Sequence, residues 1–335
     1  MKFNFRISKL ANFYFFVSNL CEWHFSCRKD YNTLWLKQTG QLKPNEFEIL
    51  QKFKTICQKY GFTSSDFNKT KYLGKYFYLY PEKQCFKKLQ ANVEKNEFEL
   101  IKQVFQIFEP RFNKIWLKNK NPRSITLLKN ELQKNNWKNL LKDVELIFGK
   151  SNQKINIIVI FSPLKGEGVT AAGSAILDFK NIILELPQLK NNSWEMDYSI
   201  GVFAHELAHV LFEKNNGRKL IKKEIRQLKL PEIMPENPFS TENIINEAVV
   251  ESFVPFGYLT QKYSNFRLAH CLLNTIGKIQ KRKRVPKNPR FLIRYLTWYL
   301  YPLAIIYTEN KKELDDNFIF YAGKMLDLLI KNGII

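Results

Sequence analysis

Apolar residues along the first 150 positions recur three and four apart, the spacing that gathers them on one face of a helix. Turn signals at Thr39-Gly40, Lys43-Pro44 and Asn121-Pro122 punctuate this pattern. Near the N-terminus, Leu10, Phe13, Val17, Leu20 and Trp23 keep the same period and predict an amphipathic helix there. The pattern changes after Gly149. Lys154–Phe161 (KINIIVIF) is continuously apolar and rich in β-branched residues, which predicts a buried strand. Gly166-Glu167-Gly168 breaks the run, and Ser174–Asp178 and Asn181–Leu186 follow as two short extended runs that predict a hairpin. Past Pro187 the helical period returns and continues to the end. The expected class is α+β, predominantly helical with a small mixed sheet, divided into a helical region over 1–150 and a second domain over 151–335.

One helix in the second half carries chemistry. Residues 192–217 read NSWEMDYSIGVFAHELAHVLFEKNNG, with Asn192 and Glu195 spaced as a capping box and Asn216-Gly217 as a stop. His205 and His209 are four apart, so their side chains leave one face on successive turns and can grip one metal ion. Glu206 follows His205, where its carboxylate can take a proton from a water held at that metal. Neutral imidazoles suit zinc, and a catalytic zinc keeps one coordination position open. Only four histidines exist in the chain, and two fall on this motif. Val202, Phe203, Ala204, Leu207, Ala208, Val210 and Leu211 around them are uncharged, as a helix buried under a metal site requires.

The third ligand must come from elsewhere. The metzincin pattern would place Gly at 212 and His at 215, where the chain has Phe212 and Asn215. Residues 240–253 (STENIINEAVVESF) predict a second helix capped by Ser240 or Thr241. With its Asn246-Glu247-Ala248 triplet, this stretch resembles the gluzincins, the thermolysin-like zinc peptidases. The resemblance implies a zincin-like core over roughly residues 153–258, with Glu247 as third zinc ligand and Glu251 supporting a zinc-binding histidine from outside the ligand set. Four-residue spacing places Glu247 and Glu251 on one helix face, and a ligating histidine ordinarily donates its other N–H to a carboxylate or carbonyl. Glu232, Glu236 and Glu242 are rival third ligands. His209 and Glu247 are 38 positions apart, and between them lie a basic, helix-like insert over 218–228 and a proline-rich loop, a departure from thermolysin itself.

The same resemblance implies a peptide or protein substrate hydrolysed by metal-activated water, with Glu206 as general base. Within zincin peptidases an extended substrate lies along a strand edge before the motif helix; its counterpart here would fall within 168–176, a stretch that reads equally as an ordinary tight loop. Gluzincins also place a Tyr or His against the oxyanion; His270, Tyr295, Tyr299, Tyr301 and Tyr307 are all candidates, and the sequence does not choose among them.

Charge adds a rival class. The formal net charge is +22, which favours anionic partners. However, only 11 of the 53 cationic side chains are Arg, the residue whose planar fork reads phosphates. The run 278–290 (KIQKRKRVPKNPR) holds seven cations and two prolines, the pattern of an exposed loop or of a docking patch for nucleic acid, acidic protein or anionic lipid. The alternative function is therefore a basic nucleic-acid- or protein-binding protein with a structural or vestigial zinc site, in which Cys271 could approach the metal. The five cysteines are scattered without a CxxC pair, so the expectation is a reducing cytoplasm. Residues 1–20 superficially resemble a signal peptide, and a third reading anchors the enzyme to a membrane through 1–20 or 291–307. Polar interruptions in the first stretch, and Arg294 and Pro302 in the second, favour core helices instead.

Overall fold

Four strands form one sheet in the order β1-β2-β4-β3, where β1 is Lys2–Ile7, β2 Lys154–Phe161, β3 Ser174–Asp178 and β4 Asn181–Leu186. The computed structural model describes residues 1–24, 27–61, 72–163, 174–191, 193–233, 240–264, 277 and 288–334, with 174–177 by backbone alone. β2 is the buried strand its sequence predicts: Ile155 and Ile157 to Ile160 have no exposed surface, so both faces are covered. β4 pairs with it in parallel, from Asn156 opposite Asn181 to Phe161 opposite Leu186. β3 folds back antiparallel onto β4 as the predicted hairpin. The Asp178 carboxylate holds this turn, accepting from the Lys180 backbone N–H at 2.8 Å and from Asn181 Nδ2 at 2.8 Å.

β1 adds a strand ahead of the expected N-terminal helix, in a region whose sequence predicts helices. Phe3, Phe5 and Ile7 alternate with Asn4 and Arg6, a period of two that the stronger helical signal after it concealed. The helix itself runs over Lys9–Leu20, capped by Ser8, whose hydroxyl accepts from the Ala11 N–H at 3.1 Å. Trp23 falls beyond its end. Asparagine side chains link three strands: Asn4 Nδ2 donates to Asn156 Oδ1 at 2.9 Å, and Asn156 Nδ2 to Asn181 Oδ1 at 3.1 Å.

The chain divides into two compact units, and neither is one continuous stretch. One comprises residues 3–126 and 154–190 and contains nearly all of the sheet. Its helical part is built on aromatic contacts: Phe13 stacks on Phe112 at 4.5 Å, Tyr14 on Phe77 at 4.5 Å, and Phe77 on Phe105 at 4.9 Å. The other comprises residues 1–2, 127–153 and 191–335, and the boundary expected at residue 150 lies inside it. Two of its helices matter most here: Trp194–Lys214, called the motif helix below, and Thr241–Glu251, called the glutamate helix. Phe148, at the end of the helix Asn135–Phe148, meets Phe212 of the motif helix and Phe253 edge-on at 6.1 and 5.3 Å.

The apolar stretch 291–307 lies within the helix Pro289–Glu309, which buries Leu292, Ile293, Leu296, Leu300 and Ala304. Thr297 Oγ1 donates to the Ala248 carbonyl at 3.4 Å, which places this helix against the glutamate helix. No described helix is long and apolar enough to cross a membrane. Helices dominate and the sheet is small and mixed, so the molecule is α+β and predominantly helical.

Candidate metal centre

The motif helix begins at Ser193, whose hydroxyl accepts from the Met196 N–H at 3.2 Å, while Asn192 lies outside the described residues. It ends at the predicted stop: Asn215 is the C-cap, and Asn216 takes a left-handed conformation with φ 67°. Between these ends, every residue from Ser199 to Phe212 is buried, so the helix is covered on all sides. The glutamate helix is capped by Ser240, whose hydroxyl accepts from the Asn243 N–H at 3.2 Å.

Packing of the two helices brings together three ligand-bearing side chains. Nε2 of His209 lies 3.1 Å from Nε2 of His205. Glu247 Oε2 lies 3.3 Å from the first of the imidazole pair, His205, and 3.4 Å from His209. Among the described residues this is the one group of His, Cys, Asp or Glu whose ligand atoms converge so closely, all within 4.8 Å of one another. Two imidazole nitrogens and a carboxylate oxygen, clustered this closely, are a donor set that suits zinc. The glutamate remains 31 % exposed along its side chain while both histidines are buried.

A backbone carbonyl, which spacing could not reveal, fixes the orientation of His205. Its Nδ1 lies 3.0 Å from the Val254 oxygen, and since a carbonyl only accepts, the ring must donate there and present Nε2 to Glu247 and His209. Val254 is held by a tight loop after the glutamate helix, where Gly257 approaches so closely that an added Cβ would lie 2.2 Å from the Ser252 carbonyl carbon. Glu251, the predicted support for a histidine, sits one turn beyond Glu247 with Oε2 buried and without a hydrogen-bond partner. Burial raises its pKa, and the Arg294 guanidinium works in the opposite direction.

The rival ligands have other partners. Glu242 pairs with Arg218 at 3.1 Å, and Glu232 accepts from the Thr241 N–H at 2.8 Å. Glu236, His270 and Cys271 lie outside the described residues, as do 278–287 of the basic run and 168–173 of the glycine-containing stretch. Of the candidate tyrosines, Tyr307 donates to Asp315, and the hydroxyls of Tyr295 and Tyr299 lie 3.3 Å apart. Glu206 is buried beside His205, and its charge acts on that imidazole.

The charges of the trio are strongly coupled to one another. Burial opposes charge on His205, but the hydrogen bond and charge of Glu247 outweigh it and push its pKa up to about 9. Burial likewise opposes charge on Glu247, and the imidazoles, His209 foremost, hold its carboxyl well below the usual carboxylate range. With no metal on these residues, His205 is therefore protonated at pH 7 and Glu247 ionised. A metal requires the neutral imidazole, so zinc uptake at pH 7 should release about one proton from His205. Calorimetry in buffers of different ionisation enthalpy reads this number directly. Affinity should rise with pH until about 9 and level off beyond, and a pH-independent affinity below 9 would contradict the assignment of His205.

Comparison with known protein families, with curated proteins and with solved structures finds no match.

Proposed function

We propose that this chain is a zinc-dependent hydrolase of peptide bonds, resembling the gluzincins, with zinc held by His205, His209 and Glu247. The convergence of those three ligand atoms from two helices, beside a buried glutamate, carries this reading. Zinc bound there would supply a Lewis acid for the scissile carbonyl and acidify a water to near neutrality. The residues of the chain do the rest. Glu206 takes the proton of the attacking water and returns it to the departing amine. Val254 keeps His205 in one tautomer, so that no reorientation of the ring accompanies the reaction. Burial of the motif helix excludes bulk water from the back of the site and strengthens each charge interaction within it. The donor set also favours an open catalytic site over a structural one: a structural zinc takes four protein ligands, often cysteines, and among the described residues three converge here.

The direct test is elemental analysis of purified protein, followed by hydrolysis of a mixed peptide library. About one zinc per chain is expected, with cleavage abolished by a chelator and restored by added zinc. A chain purified with metal supplied that contains no zinc would leave the His-Glu cluster as a hydrogen-bonded core feature and defeat the proposal.

A further inference from the structure

The motif and glutamate helices are joined a second time, away from the converging ligand atoms, by a single guanidinium. Arg218 Nε donates to Glu213 Oε1 at 2.6 Å, while Nη1 donates to Glu242 Oε1 at 3.1 Å and to Asn243 Oδ1 at 3.3 Å. Glu213 lies on the motif helix four residues after His209, and Glu242 on the glutamate helix five residues before Glu247. At 1.5 Å of rise per residue those carboxylates stand about 6 and about 7.5 Å along the helix axes from their respective ligands. The side chains of Arg218, Glu213 and Glu242 are 16 %, 8 % and 11 % exposed, so the bridge is largely removed from water.

Arg218 is an unfavourable residue for its position. It stands in the first turn of the helix Gly217–Leu228, where the positive end of the helix dipole repels a cation. The two carboxylates offset that repulsion. Access to them depends on an abrupt reversal of the chain: Asn216 is left-handed, and the missing side chain of Gly217 makes room for the Phe212 ring, which a Cβ would approach to 2.4 Å. The planar fork then reaches acceptors on both helices at once, which an ammonium on a flexible stem does not reproduce. Buried ion networks contribute little net stability compared with apolar packing, so the contribution of this one is chiefly geometric.

We propose that Arg218 is a positioning residue for the metal centre, a clamp that fixes the spacing between His209 and Glu247 and so sets metal affinity. Val254 constrains the trio at His205, and Arg218 constrains it from the side of His209 and Glu247. The inference rests on the zinc-site reading above, and its test separates the two.

Zinc dissociation constants are measured by competition with a chromogenic chelator, alongside thermal melts of the metal-stripped proteins. The comparison includes wild type, Arg218→Lys, Arg218→Met and the triple variant Arg218→Met, Glu213→Gln, Glu242→Gln. The triple variant leaves no buried carboxylate without its cation, which protects folding if Arg218→Met alone destabilises the chain. Zinc affinity should fall roughly 10- to 100-fold in Arg218→Met and in the triple variant, the scale typical of residues that orient ligands from outside the set. Arg218→Lys should fall between these and wild type, and the melting temperature of the stripped triple variant should stay near wild type. A folded triple variant that binds zinc as tightly as wild type would overturn the clamp alone. Wild-type protein that binds no zinc would overturn the site reading and the clamp with it.

Discussion

Glu206→Gln should retain about one zinc per chain and lose roughly a hundred- to ten-thousandfold in kcat, the usual contribution of a positioned general base. At 1.36 kcal/mol per tenfold change, that loss corresponds to about 3 to 5 kcal/mol of transition-state stabilisation. Glutamine matches glutamate in shape, so the buried position beside His205 should stay packed. What changes is the ability to accept a proton. Because Glu206 is not among the three converging ligand atoms, zinc should remain bound. Zinc content and peptide hydrolysis, measured on the same preparation, must therefore separate. Full activity in a folded, zinc-loaded Glu206→Gln protein would remove the proposed general base. Loss of zinc would instead assign Glu206 to holding the metal.

Glu247→Ala should empty the site. Residues that only orient ligands commonly account for 10- to 100-fold in affinity, and loss of a ligand itself should exceed ~100-fold. Zinc that survives purification and dialysis in wild type should then be absent from the variant, with hydrolysis lost in parallel. A second readout does not depend on activity. Glu247 is the group that holds the His205 pKa up at about 9 in stripped protein, so removing it should let that imidazole titrate lower, followed by NMR of the ring protons. A variant that keeps its zinc would return the third position to another ligand. Glu242 and Glu232 already have partners in Arg218 and the Thr241 N–H, respectively.

Periodic signals made much of this molecule legible in advance. The two histidines and Glu206 follow from spacing on a single helix, and the glutamate helix follows from its serine cap and apolar period. β2 and the β3–β4 hairpin follow from apolar runs bounded by breakers. β1 went unread because six alternating residues carry a weak signal beside a twelve-residue helix. The grouping into units escaped for a different reason. Strands β2 to β4 belong with residues 3–126, and the helix Asn135–Phe148 belongs with the motif helix, yet linear composition shows only a change near Gly149. The Val254 carbonyl was equally hidden, since a backbone oxygen has no residue type to recognise. Arg218 was visible only as one cation in a basic helix. Its partners lie five residues back and twenty-four residues ahead, and only the reversal at Asn216 and Gly217 brings the first within reach.

The interleaving of the two units also sets an order of events during synthesis. The unit holding β2 to β4 has all of its residues once position 190 has emerged from the ribosome, whereas the other must wait for the remainder of the chain. Residues 127–153 emerge early but belong with partners made later, so the aromatic face of Phe148 is on offer before Phe212 and Phe253 exist to cover it. At ~5–20 residues per second, the interval from residue 190 to Glu251 lasts about 3 to 12 seconds. Throughout most of that interval the nascent chain bears its imidazoles without their carboxylate. A ribosome stalled there would display two imidazoles of the proposed zinc site before the carboxylate that completes the trio has been made.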